Sequence, residues 1–447
     1  MKNILVIPNI TYKKDLSKDS FVKVMNAIIT HLNLIRNDLY FHIPLTSYCK
    51  ELDFDNVSQY YIDLPSYPNS MRGHFDFNLW KNIVDWKNKD IDLIYSHLPE
   101  QTTQVVNLLS NTTDIGAVPV IGYCHWMETK EFAPYDRTYL HYNLAGILEM
   151  EYCGFNTQTQ IDNIIKEVSP RYSDKTIQEL REKMLPTYLG VYDSDIVKKE
   201  NKDYEKIIVF NHRLNSYRNF DFFKDTISKL REQRQDFKVW ASFGKVDSDY
   251  WIKTDLPALK DYYKYLNKCC VGVLPGNRWA VSAQDGLING LPFIFEKGSE
   301  TKELFGDLDT HYTNQEELLE LLNKFLDDDK YRNKQARNAI KRARECGWSE
   351  RIKFIDKQIN KALSKNKPSS DKSVRAKEML ELVKSRHSIT KKEILKHFGW
   401  GVGIKFKPYR NYLLSNGCVN LIDEEPFIGE LGAEKKTFDR YKYEKNN

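Results

Sequence analysis

The chain has 447 residues, a net charge of +5 and 41% hydrophobic residues, with 27 Tyr, 22 Phe and 8 Trp. That length exceeds one core and predicts two or three domains, and the apolar and aromatic content excludes global disorder. The charge is unevenly placed: residues 361–447 hold 19 basic and 11 acidic side chains, against 48 and 51 in the remainder. A basic end on a slightly acidic body predicts a polyanionic partner.

Met1–Ile7 offers one lysine and a four-residue apolar run, too short for a signal-peptide core or a membrane span. No other stretch approaches the roughly 20 apolar residues of a membrane helix, so the expectation is a cytoplasmic protein, of a host cell if the source is viral. Seven scattered Cys without a CxxC predict reduced thiols rather than a disulfide or zinc framework.

In chain order, Lys2–Pro8 reads as a buried strand and Phe21–Leu34 as a helix. Strands follow at Asp38–Pro44, Ser58–Leu64 and Asp92–Tyr95, then a helix at Glu100–Leu109. Val118–Cys124 is a strand, and Thr138–Ile147 and Asn156–Glu167 are helices. Residues 168–205 are mixed, with Pro170 and Pro186 as breakers. A second alternation starts at Glu205–Phe210, with strands at Phe237–Phe243, Cys270–Leu274 and Leu291–Glu296. Helices at Asp221–Gln235, Leu256–Lys268, Val281–Asn289, Gln315–Asp327 and Asp329–Arg344 fill the gaps. Two α/β units of doubly wound, Rossmann-like type are the expected fold, divided as 1–190 and 191–363. Residues 364–373 are a polar linker, 374–430 a further small module, and 431–447 a charged, frayed tail.

Ligands of doubly wound sheets sit beyond the carboxyl ends of the strands. After strand 205–210 come Arg213 and Arg218, five apart and ahead of a helix, suited to phosphate oxygens, although two arginines in a loop are equally compatible with plain solvation. After strand 270–274 come Pro275 and Gly276, then Asp285 and Gly286 early in a helix that closes at Gly290-Leu291-Pro292. A carboxylate in that place suits the two hydroxyls of a ribose.

These segments resemble the retaining GT-B glycosyltransferases of family 4. That family opens its second domain with Arg and, five residues on, Lys; here both are Arg. Asp285 falls five before Gly290, where the family's ribose-binding Glu belongs, while Asn277 stands at the position of its first Glu, the one that contacts the sugar. Glu303 matches a further family feature. The resemblance implies a hexosyltransferase with a UDP-sugar such as UDP-glucose as co-substrate, no obligatory metal, retention of configuration, Arg213 and Arg218 on the diphosphate, and Gly276, Asn277, Asp285, Gly286 and Glu303 around the donor. His125, just past strand 118–124, matches the family's cleft histidine, a reading favoured over that of a core histidine because its neighbours Trp126 and Glu128 are amphipathic and lie at a strand's carboxyl end. Tyr12, Tyr95, His97, Trp126 and Glu128 are the candidate acceptor contacts, with Glu128 and Glu149 as candidate bases.

Residues 374–430 resemble a winged helix-turn-helix: a helix at Val374–Ser385, a helix starting at Ser388, a third at Ile404–Leu414, and a hairpin of Cys418–Ile422 with Phe427–Ile428. Lys391, Lys392, Lys405, Lys407 and Arg410 are its candidate contacts to double-stranded DNA; winged helices also bind proteins. Together the parts are similar in role to bacteriophage DNA glucosyltransferases and imply transfer of a hexose to a hydroxymethylated pyrimidine such as hydroxymethylcytosine. Two alternatives stay open: an envelope-glycan or protein glycosyltransferase with an interaction module, and a non-catalytic DNA-binding regulator with a degenerate body.

Overall fold

The computed structural model describes residues 1–10, 16, 19–61, 80, 91–112, 118–125, 127, 129, 138–187, 190–196, 204–242, 244, 246, 249–252, 259–276, 281–306, 309–365, 372–386, 388–390, 393, 397, 418–423 and 438–443.

The first half is built on β1 (Lys2–Ile7), β2 (Leu39–Leu45), β3 (Val57–Tyr61), β4 (Ile91–Ser96), β5 (Val120–Tyr123), β6 (Tyr152–Phe155) and β7 (Met184–Pro186), in the order β3-β2-β1-β4-β5-β6-β7 with every pairing parallel. Ile4, Leu5, Val6 and Ile7 are all fully buried, the continuous apolar run of a strand covered on both faces. The covering helices are α1 (Ser20–Ile35), α2 (Pro99–Thr112), α3 (Thr138–Glu149), α4 (Gln158–Val168) and α5 (Asp174–Lys183). Asp19 caps α1 by accepting from the Phe21 amide at 2.9 Å. In α4, Ile161, Ile164, Ile165 and Val168 are the buried face, at one-turn spacing.

The second half repeats the plan with β8 (Ile207–Phe210), β9 (Lys238–Ala241), β10 (Trp251–Ile252), β11 (Val271–Leu274), β12 (Phe293–Glu296) and β13 (His311–Tyr312), ordered β10-β9-β8-β11-β12-β13 and again parallel. Its helices are α6 (Phe220–Gln233), α7 (Leu259–Leu266), α8 (Val281–Ile288), α9 (Ser299–Phe305), α10 (Gln315–Asp327) and α11 (Asp329–Glu345). The two doubly wound sheets expected from the alternation are therefore both present.

The stretch 168–205, mixed in its sequence signals, contains α5 and the edge strand β7. Ser173 caps α5 on the Thr176 amide, and only Ile177 and Leu180 are buried, so its periodic signal is short. Pro186 ends β7, which a prolyl residue tolerates at a sheet edge.

After α11 the chain does not stay with the second half. The helix α12 (Trp348–Lys365) buries Trp348, Ile352, Ile355, Ile359 and Ala362 in the first half's core beside α1, β4 and β5. Each large side chain so buried contributes about 1.5–3 kcal/mol. Arg36 of the first half clamps the helix through Asp356 at 2.7 Å and Asn360 at 2.9 Å. At the crossover, Val191 pairs with Gly347, and Asp193 accepts from the Ser349 amide (3.1 Å) and hydroxyl (2.9 Å). A single second unit of 191–363 is thus corrected: its last helix belongs to the first core, because the apolar face of α12 fits there.

Beyond it, α13 (Lys372–Arg386) precedes a three-stranded antiparallel sheet of β14 (Ser388–Thr390), β15 (Cys418–Asp423) and β16 (Phe438–Tyr443), with β16 in the middle. Three expectations change here. Ser364–Lys365 and Lys372–Ser373 are helical, so the linker is shorter than 364–373. Ser388 starts a strand, not a helix, and β16 lies in the stretch read as a frayed tail. Its backbone pairs with two distant strands, a partnership that charge content does not reveal. Phe427–Ile428 lie outside the described residues, as do Lys391, Lys392, Lys405, Lys407 and Arg410.

The six described cysteines are buried and in no disulfide. No described helix is long and apolar enough to cross a membrane.

Candidate active site

The carboxyl ends of β8 and β11 are joined by a buried polar network. The chain leaves β8 through Asn211 and His212, which are 0% and 3% exposed. Asn211 donates to the Tyr262 hydroxyl at 3.0 Å and to the Ser282 carbonyl at 2.6 Å. His212 Nδ1 shares a proton with the Ser282 hydroxyl at 2.5 Å. Burial, with the Arg218 charge adding to it, pushes the His212 imidazole down to about 3, so the ring is neutral at physiological pH. These contacts fix the first turn of α8 against the end of β8.

Next, Asn215 caps a single 3₁₀ turn, Ser216–Arg218, by accepting from the Arg218 amide at 3.2 Å. Asn219 then takes a left-handed conformation (φ 49°) and α6 begins. Arg213 is exposed and Arg218 partly buried, both on this loop ahead of the α6 amino end. The end of β11 meets it: Gly276 has φ 96°, its amide donates to Glu296 Oε2 at 2.5 Å, and a Cβ added there would lie 3.5 Å from Asn219 Nδ2. Asn277 lies outside the described residues.

Asp285, on α8, is held by two tyrosines of α7. The Tyr263 hydroxyl donates to Oδ1 at 3.5 Å, and Tyr262, whose oxygen accepts from Asn211, donates as well. Burial raises the Asp285 carboxyl to about 7, against the opposing pull of Lys23 and the two hydroxyls. Lys23 belongs to the first turn of α1, so a cation of the first half acts on this carboxylate. The turn after α8 closes as expected, with Gly290 at φ 62° and the Leu291 amide on the Gly286 carbonyl at 2.9 Å.

Gly286, expected at the donor, has a packing role in the fold. A Cβ there would meet Phe293 Cε2 at 2.0 Å, so the glycine lets α8 lie against β12. Gly286→Ala is expected to cost about 1–3 kcal/mol by overpacking, read as a lower Tm with the affinity for UDP kept.

Glu303 also does something other than expected. Its carboxylate accepts from the Gln158 amide (2.5 Å), the Thr159 amide (2.8 Å) and the Thr159 hydroxyl (2.8 Å). It therefore seats on the amino end of α4, where backbone N–H groups and the helix dipole favour an anion. The contact ties α9, just past β12, to α4, just past β6, so the carboxyl ends of the two sheets face one another. Glu300 supports it by accepting from Thr157 at 3.4 Å.

On the first half, His125 is partly buried at the end of β5, and its Nε2 lies 2.9 Å from His97 Nδ1. His97 is 0% exposed, its ring 4.6 Å from that of Tyr95, and burial together with His125 drives its pKa well below the usual histidine range. Tyr95 is 1% exposed in the first core. Neither Tyr95 nor His97 has surface to offer an acceptor; His97 orients His125. Glu149 is exposed at the end of α3, which leads into the amino end of β6, away from the facing strand ends. Tyr12, Trp126 and Glu128 lie outside the described residues.

The geometry thus brings the Arg213–Arg218 loop, Gly276 and Asp285 to one set of strand ends. Sequence reasoning missed Asn211, His212, Ser282, Tyr262, Tyr263 and Lys23. His212 carried a signal, standing next to Arg213 at a strand end; the tyrosine pair on α7 carried none.

No family model and no curated protein matches the chain. Solved structures do. The chain is similar to sucrose-phosphate synthase of Thermosynechococcus elongatus at TM-score 0.62 and 11% identity, covering 82% of this chain and 100% of that one. The HepE protein of Anabaena, solved with UDP and glucose, gives TM-score 0.55 at 12% identity over 81% and 100%. An α,α-trehalose-phosphate synthase (UDP-forming) of Burkholderia vietnamiensis gives 0.55 at 10% over 82% and 98%. The chain has the GT-B fold: two Rossmann-like sheets meeting at their carboxyl ends.

Proposed function

We propose that the protein is a hexosyltransferase that takes glucose from a UDP-sugar and attaches it to hydroxymethylated pyrimidines in DNA. What supports the donor half of this reading is one conjunction: two arginines and a half-buried carboxylate at adjacent strand ends of a GT-B second domain, the end at which doubly wound sheets bind nucleotides. The neighbouring structures of the same fold that are solved with, or form, UDP agree with it. In the proposed reaction the acceptor hydroxymethyl oxygen bonds to the anomeric carbon while the bond from that carbon to the UDP oxygen breaks, and the acceptor hydroxyl proton leaves on the departing diphosphate. Arg213, Arg218 and the α6 amino end stabilise the charge that develops on the diphosphate. Asp285 accepts the ribose hydroxyls, and His125, oriented by neutral His97, faces the sugar.

The acceptor half rests on the basic end of the chain. A helix, α13, is followed by a strand, then a region with five candidate cationic contacts, then two more strands of one antiparallel sheet with the last in the middle. We read this as a winged helix presenting Lys391, Lys392, Lys405, Lys407 and Arg410 to duplex DNA. A base within a duplex must leave the stack to reach a cleft.

The test is transfer of label from radioactive UDP-glucose to duplexes carrying cytosine, 5-hydroxymethylcytosine or 5-hydroxymethyluracil. Label in a hydroxymethylated duplex alone is expected. Transfer to a lipid, glycan or protein acceptor with none to DNA would overturn the acceptor. No UDP release with any acceptor, with DNA binding intact, would favour the regulator.

A further inference from the structure

The helix α11 separates its residues by charge. Tyr331, Gln335, Ala336, Ala339, Ile340 and Ala343 are buried, and the helix packs on α8, which carries Asp285. Its exposed side presents Lys330, Lys334, Arg337, Lys341 and Arg344. Their spacing of four, three, four and three puts all five on one face. At 1.5 Å per residue the row is about 21 Å long.

The two acidic residues of the helix do not interrupt it. Asp329 pairs with Arg332 and Glu345 with Arg342, the latter at 2.8 Å. Within the row, Lys334 makes an exposed ion pair with Asp309 at 3.4 Å, of a kind that contributes little. Like charges three and four apart repel along a helix, so such a row costs the free protein stability. An anionic partner would reverse that cost. A bilayer surface fits poorly, because a membrane-lying helix buries an apolar face in lipid, and the apolar face of α11 is already spent on the protein core. A linear row fits a linear polyanion, and duplex DNA carries a charge every ~1.7 Å of its axis.

We propose that the α11 row is a second DNA-docking surface, gripping the phosphodiester backbone of the duplex along the outside of the second half. The inference rests on the reading of DNA as acceptor and adds a binding surface remote from the terminal module. Two surfaces on one duplex raise affinity through effective concentration and fix the direction in which the duplex runs past the enzyme.

The experiment uses the full chain and a fluorescently labelled duplex containing 5-hydroxymethylcytosine, titrated from about 50 to 200 mM salt. The variant is Lys330→Gln/Arg337→Gln/Lys341→Gln/Arg344→Gln. Its control, Lys175→Gln/Arg181→Gln/Lys224→Gln/Lys238→Gln, removes the same charge from exposed positions elsewhere. The row variant is expected to flatten the plot of log affinity against log salt by about 3 to 4, near 0.9 for each phosphate no longer neutralised, with the control close to wild type. Equal slopes in row variant and control, with melting curves unchanged, overturn the proposal. So does wild-type binding to phosphatidylserine vesicles that the row variant alone fails to show, which would make the partner a membrane. Label transfer to DNA by a row variant whose affinity is unaltered removes this surface and leaves the acceptor reading standing. A wild-type chain with no affinity for DNA removes both.

Discussion

Arg213→Ala and Arg218→Ala are each expected to lower the turnover of UDP-glucose by about two to three orders of magnitude, the loss seen when one preorganised stabiliser of a developing oxyanion is removed. Both side chains sit on the loop that leaves β8, ahead of the α6 amino end. They differ in setting. Arg213 is exposed and its removal leaves the fold alone, so its effect should fall on UDP binding and turnover together. Arg218 is partly buried and its charge reaches His212. Arg218→Lys should therefore retain part of the affinity for UDP while losing turnover, since an ammonium keeps the charge and loses the guanidinium fork. Calorimetric titration with UDP and steady-state label transfer separate the two effects. Unchanged values for Arg213→Ala would remove the diphosphate from this loop.

The second large effect is a pH dependence. The Asp285 carboxyl is raised to about 7 by burial. Ribose hydroxyls donate hydrogen bonds, so they bind the anion. Affinity for UDP-glucose should thus rise as pH rises, by about tenfold from pH 6 to 8 as the ionised fraction grows from roughly a tenth to nine tenths. Asp285→Asn should bind about 10- to 100-fold more weakly at pH 8, where the wild type makes charged hydrogen bonds, and show no such rise. Stability gives an independent check with the opposite sign. An unfolded aspartate ionises near 4, so between about 4 and 7 the unfolded chain gives up a proton that the folded chain keeps, and the unliganded protein loses stability as pH rises through that window. Asp285→Asn should remove that component of the pH dependence of Tm. A flat binding profile in the wild type would detach Asp285 from the ribose.

What the sequence disclosed follows what is local. The strand runs Ile4–Ile7 and Ile207–Phe210 and the turn at Gly290 are written in neighbouring residues, and they were legible. That Arg213 and Arg218 lie on the loop past β8 and Asp285 on the helix past β11 was legible because each follows its strand along the chain before the next one begins. Glu303 was misread because its partner, the amino end of α4, lies 144 residues earlier at Thr159 and belongs to the other half. Tyr95 and His97 were misread because a strand end near a cleft still has one face turned to the core. The strand β16 was hidden because its charged residues describe a solvated tail equally well, and only pairing with β14 and β15 makes it a strand.

The return of α12 to the first half has a consequence for how the protein comes into being. Domains ordinarily fold in order as they leave the ribosome, the amino-terminal one first. Here the first sheet emerges with part of its apolar face uncovered, and Trp348, Ile352, Ile355 and Ile359 arrive only after the entire second sheet has been synthesised. The half that is made first is finished last. A nascent chain stopped just before Trp348 should carry a complete second sheet beside a first sheet still open to chaperones and proteases, and the addition of one helix should close it.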